Sequence, residues 1–211
     1  QYFDLSLRKW VTQAIVTENG EEKIIESGHK AEDDPEDVVK VDLKKSKINK
    51  VTIKFRYKIR VKNEGNIAGY AKELKDYIPD GLKFVAEDNP LWKQIDEKTI
   101  TTDQTNDILL QPGDTTEVEV LLTWINDSEN FGVMDNWAEI SKDHNDFNSP
   151  DIDSTPDNNK KGEDDIDDAP VSVGVQTGQI KTFTTISLAV LVILSSGVVL
   201  IKKFLCQIYL L

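Results

Sequence analysis

The chain has 211 residues, with 38 Asp and Glu against 25 Lys and Arg and a formal net charge of −13. That length suits one domain of ordinary size with appendages, and the acidic balance argues against a surface built to neutralise nucleic-acid phosphates. A single cysteine, Cys206, excludes an intrachain disulfide, and with Met134 as its only methionine the chain is expected to start at Gln1 after processing or as a fragment.

Residues 1 to 16 are expected to hold a strand, with Phe3, Leu5, Leu7 and Val11 on one face and Lys9 in the same row. A lysine there is costly unless it is paired or neutral. Either the strand ends near Lys9, or Lys9 snorkels out along the sheet, or it is buried with a partner. Asn19-Gly20 marks a turn, Glu32 to Asp37 is an acidic run around Pro35, and residues 18 to 50 read as a surface excursion with a short strand at Val38 to Leu43.

Val51 to Lys62 is the clearest element. Val51, Ile53, Phe55, Tyr57, Ile59 and Val61 alternate without a break against Thr52, Lys54, Arg56, Lys58, Arg60 and Lys62. A period of two with cationic outer positions predicts an antiparallel strand with one wet face. Asn63 to Asn66 is a turn before a strand over Ile67 to Tyr77, and Pro79 and Gly81 mark the next turn. Short strands follow at Leu82 to Val85 and Lys98 to Thr101, then long ones at Val118 to Trp124 and Val133 to Ile140, the last of the domain. Strands separated by turns, with no amphipathic helix, predict a two-sheet antiparallel sandwich over residues 1–142, its core served by the four Trp.

Residues 143–170 change to Asp, Asn, Ser, Pro, Glu and Lys and read as a disordered acidic linker. Asp151, Asp153 and Asp157 carry the alternate carboxylates that calcium favours, but Pro156 and Gly162 stand where an EF-hand loop needs Gly and Glu. A solvated linker is the first reading and a calcium site the alternative. A membrane-proximal segment, 171–182, leads to Phe183 through Ile201, an uncharged apolar stretch of 19 residues followed by Lys202-Lys203. At about 1.5 Å per residue this spans a bilayer's hydrocarbon core, so a transmembrane helix is expected at 183–201, with a short cytoplasmic tail at 202–211 and the sandwich outside.

Several stretches resemble the DUF11-type repeat of Gram-positive surface proteins: Phe3 to Lys9, Tyr57 to Gly65, Gly69 to Leu82, Asn136 to Ile140, and Asp151 to Pro156 with Glu163 to Asp165. The resemblance implies an all-β, immunoglobulin-like sandwich on a cell surface, often repeated, with no enzymatic turnover. Thr177-Gly178 before the helix resembles a degenerate sortase signal in which Gly174 and Val175 replace Leu and Pro, so membrane anchoring is favoured over wall attachment.

The resemblance also implies an intramolecular Lys-Asn isopeptide bond. Lys9 is the amine candidate. Asn136 shares a face with Met134, Ala138 and Ile140 and can point inward as Lys9 does. The required carboxyl group is assigned first to Glu73 and second to Asp76. Apolar surroundings would depress the lysine pKa and raise the carboxyl's, leaving a neutral amine beside an acid. The competing reading is a buried ion pair at Lys9, with Asn136 bonded to backbone.

The expected function is a non-enzymatic surface module, structural or adhesive, with the membrane and an extracellular protein or glycan as partners. No cofactor is expected apart from the calcium alternative. His29 and His144 lie in polar loops and complete no triad or zinc pattern. The alternative function is the ectodomain of an envelope enzyme or receptor with its active part N-terminal to Gln1.

Overall fold

The alternating stretches become the central strands of two facing sheets in the computed structural model, which describes residues 1–33, 35 and 37–176. In chain order the strands are β1 (Leu5–Glu18), β2 (Glu21–Glu26), β3 (Val39–Leu43), β4 (Val51–Asn63), β5 (Tyr70–Tyr77), β6 (Leu82–Phe84), β7 (Lys93–Gln94), β8 (Thr99–Thr102), β9 (Thr115–Trp124), β10 (Gly132–His144) and β11 (Ile166–Val175). One sheet runs β2-β1-β4-β9-β6 and the other β3-β11-β10-β5-β8-β7. Among these strands every pairing is antiparallel except β11 with β3, which is parallel. The result is a sandwich-like, mostly β fold.

β4 behaves as its alternation predicts: the six apolar positions from Val51 to Val61 are all buried. Its outward cations meet β9, where Arg60 sits opposite Glu117 and Lys58 opposite Glu119, an arrangement that satisfies cross-strand charge. β1 and β2 join through Asn19-Gly20, with φ of 52° and 83°, and residues that tolerate this left-handed region are what a two-residue hairpin turn requires. A register shift between Val11 and Gln13 in β1 lets both Val11 and Ala14 face the core.

Three expectations are corrected. Residues 143–170 are not a disordered linker outside the domain: Asp143 and His144 finish β10, and Ile166–Val175 is an interior strand between β10 and β3. β10 is therefore not the last strand. The segment between them has Phe147 and Ile152 as its large apolar residues, both exposed, and is stitched by its polar ones, which bond locally to backbone as Asp and Asn do in turns. Asp151 accepts the N–H groups of Leu5, Asp153 and Ser154, and Glu163 accepts that of Thr155. Trp92 and Trp124 enter the core, whereas Trp10 is buried on the outer face of β1 against Arg60 and Trp137 is half-buried under Lys161. Finally, β1 runs through Lys9, and the residue is 2 % exposed, so the strand neither ends there nor lets the ammonium snorkel.

Residues 1–176 form a compact unit of their own, containing both sheets and the buried cluster between them. Among the described residues no helix is long and apolar enough to cross a membrane. The expected anchor from Phe183 to Ile201, the pair Lys202 and Lys203, and Thr177-Gly178 lie outside the described residues.

Candidate functional site: a buried Lys-Asp-Asn triad

Lys9 stands in the middle of β1 between Leu7 and Val11, opposite Ile59 of β4. Its neighbours along the inward row are fully buried, so the side chain has nowhere to go but between the sheets. There it meets the second sheet. On β10, Asn136 lies two residues before Ala138, and Ala138 pairs with Asp76 of β5, making Asn136 and Asp76 diagonal neighbours on the inner face. The side chains of Lys9 and Asp76 have no exposed surface, and Asn136 is also fully buried.

The three groups close a ring of contacts. Lys9 Nζ donates to Asp76 Oδ2 at 2.6 Å and to Asn136 Oδ1 at 2.5 Å, while Asn136 Nδ2 donates to Asp76 Oδ1 at 2.8 Å. Asn136 Nδ2 also donates to the Tyr77 carbonyl at 3.0 Å. The Tyr57 ring lies 5.0 Å from Nζ. Burial holds the Lys9 pKa below its ordinary value, opposed by the charge and hydrogen bond of Asp76. Nothing in the ring is wet, and all three polar groups are satisfied by one another or by backbone.

Both strand-parity expectations, for Lys9 and for Asn136, are met by these positions. The assignment of the carboxyl first to Glu73 is corrected in favour of Asp76. Glu73 faces the other side of β5, where Oε1 accepts from Ser141 and Oε2 from Lys142, each at 2.9 Å. The reason is a pair of register shifts in β10 around Lys142, opposite Glu73, so that Ala71 and Leu74 are both buried and parity counted from Ala71 misses the inner face. Counted from Leu74, it selects Asp76.

A second polar cluster lies where the chain enters β1. One carboxylate oxygen from each of Asp4, Asp151, Asp153 and Asp164 lies within 4.8 Å of the others. Asp157, expected with Asp151 and Asp153, is instead ion-paired with Lys75. Asp4 and Asp164 could not be read from the local spacing because they come from distant chain segments. Burial, then neighbouring carboxylates, raises Asp4 to about 6 and Asp164 to about 7. Asp165 is likewise raised to about 7 by burial, then by Glu163, Glu139 and Asp151.

No protein-family model matches the chain, and no curated protein matches it.

Proposed function

We propose that residues 1–176 are a non-enzymatic, tension-resistant surface module whose two sheets are joined covalently by an isopeptide bond between Lys9 and Asn136. The observation that carries this reading is the dry ring of contacts, with the Lys9 amine 2.5 Å from the Asn136 carboxamide oxygen and 2.6 Å from an acid. The carboxamide carbon is one C=O bond further, about 1.2 Å, so amine and carbon are within attacking reach.

The chemistry follows from the positions. The Lys9 ammonium passes a proton to Asp76 Oδ2, leaving a neutral amine and a neutral acid. Nζ attacks the Asn136 carbonyl carbon, the acid protonating the oxygen or nitrogen as charge develops there. The C–Nδ2 bond breaks, and Nδ2 leaves as ammonia with the proton given up by the amine, relayed through Asp76. An N–C bond has replaced an N–C bond, and no outside reactant is consumed. The event happens once per molecule, so Asp76 assists maturation rather than turnover.

The resemblance to Gram-positive surface repeats and the apolar stretch at 183–201 support display outside a membrane, adhesive or structural, with an extracellular protein or glycan as ligand.

The test is the intact mass of residues 1–176. The unmutated protein is expected to be lighter than its sequence by one ammonia. Lys9→Ala, Asn136→Ala and Asp76→Ala are expected at full mass, and Glu73→Gln is expected to keep the loss. A full mass for the unmutated protein after prolonged incubation rules the bond out.

A further inference from the structure

The isopeptide bond proposed above would leave two arms outside its loop: residues before Lys9 and residues after Asn136. The acidic cluster sits between those arms, with Asp4 on one and Asp151, Asp153 and Asp164 on the other. They are drawn together by backbone as well. Ile152 N–H donates to the Phe3 carbonyl at 3.0 Å, and Leu7 N–H donates to the Asp164 carbonyl at 2.7 Å.

Closeness of carboxylates alone says little, because acidic surfaces are common. The buried orphan atoms say more. Oδ1 of Asp4 and Oδ1 of Asp164 are cut off from solvent and have no hydrogen-bond partner. In the same loop Ser154, 8 % exposed, has an unpartnered Oγ, although its N–H is bound to Asp151 Oδ1. Asp165, next to Asp164 in the chain and 1 % exposed, has no hydrogen bond from any other residue to either carboxylate oxygen. Buried polar atoms are nearly always satisfied, so several orphans in one place point to a missing partner that accepts lone pairs. No salt bridge among the described residues involves any of the four clustered carboxylates, and Lys62, whose charge reaches Asp4, is engaged by Glu64 at 2.7 Å.

We infer that Asp4, Asp151, Asp153 and Asp164 bind one calcium ion, which clamps the N-terminal arm of the module to the segment preceding β11. Oxygens bound to one calcium at 2.3 to 2.6 Å lie no more than about 5 Å apart, which the 4.8 Å limit of the cluster meets. An all-oxygen, carboxylate-rich set from three chain segments suits calcium's loose geometry better than the octahedron magnesium demands. The clamp and the covalent bond are complementary: the bond closes the loop from Lys9 to Asn136, and the ion ties together what lies outside it.

The experiment uses residues 1–176, stripped with chelator, titrated calorimetrically with calcium and melted with calcium, magnesium or sodium chloride at matched ionic strength. One calcium per chain is expected, with Kd in the range of about 10⁻⁴ to 10⁻³ M usual for extracellular modules. At a hundredfold excess over Kd, calcium is expected to raise Tm by roughly 5 to 10 °C. Asp153→Asn, at an exposed position, and Asp164→Asn are each expected to weaken binding at least tenfold while leaving the metal-free Tm unchanged or higher, since repulsion is relieved. Circular dichroism and the ammonia loss report that the variants fold, because the covalent triad uses none of these residues. No calcium heat, a shift that sodium reproduces, an equal response to magnesium, or undiminished binding in both variants each overturns the inference. The mass test is unaffected by any of these outcomes, so the two readings fail separately.

Discussion

A lysine with no exposed side-chain surface is held at the centre of a sandwich by one carboxylate and one carboxamide. Burying an ion pair gains little net stability, because desolvation offsets the attraction. Removing one partner is another matter. Asp76→Ala would leave Lys9 buried opposite Asn136 without its acid, and we expect a loss of about 3 to 5 kcal/mol by urea denaturation together with a full, uncrosslinked mass. A half-buried acid behaves differently. Asp168 is raised to about 7, chiefly by burial and then by its hydrogen bond and charge repulsion with Asp135. A carboxyl raised on folding binds its proton more tightly in the folded state, so its contribution favours the fold at low pH and is lost as pH rises from about 4 to about 7. Asp168→Asn is therefore expected to raise Tm by a few degrees at pH 8 and to be nearly neutral only at about pH 4, below the window in which the folded and unfolded carboxyls differ in charge, as thermal melts at the two pH values would show.

Strands divide into those that the local pattern explains and one that it hides. β4 is recognisable because each inward side chain is apolar. β11 carries Ile166, Ala169, Val171 and Val173 as its buried positions, but its first half is interrupted by Asp167, Asp168 and Pro170 and follows a run of acids. Its place between β10 and β3 makes it a structural element, and the Asp167 carboxylate accepts the N–H of Lys9 at 2.8 Å, beside the proposed bond. A chain ending at Lys142 should therefore lose cooperative unfolding, whereas one ending at Gln176 should unfold in a single transition by circular dichroism. If 143–170 were a passive linker, the two would melt alike.

Across the whole molecule, the proposed bond joins β1 in one sheet to β10 in the other and encloses a sequence separation of 127 residues. Pulled from its ends, the crosslinked protein can extend only through the arms outside that loop. Lys9→Ala should lengthen the fully unfolded chain by about 430 Å, the reach of 127 residues at roughly 3.4 Å each, measurable by single-molecule force spectroscopy. Equal lengths for the two proteins would mean that the sheets are not covalently joined. Such a brace suits a domain displayed under tension in a chain that has no disulfide.

What the amino-acid order determined by itself was whatever repeats over two residues or turns over two. The inward rows of β1, β4 and β10, with Lys9 and Asn136 standing in them, and the Asn19-Gly20 turn follow from alternation and turn chemistry, which act within a few residues, whereas the burial of the Lys9 ammonium was decided by its partners on the facing sheet. Three things waited on tertiary structure. The choice of Asp76 over Glu73 depends on register shifts in β10, the strand paired with β5. The recruitment of β11 depends on the edges that β10 and β3 offer it, since an interrupted apolar row becomes a strand only where partners supply hydrogen bonds. The gathering of Asp4 and Asp164 with Asp151 and Asp153 depends on distant segments meeting beside β1. Each is a long-range pairing, and long-range pairings are set by the burial and hydrogen bonding of the folded chain, which no local spacing encodes.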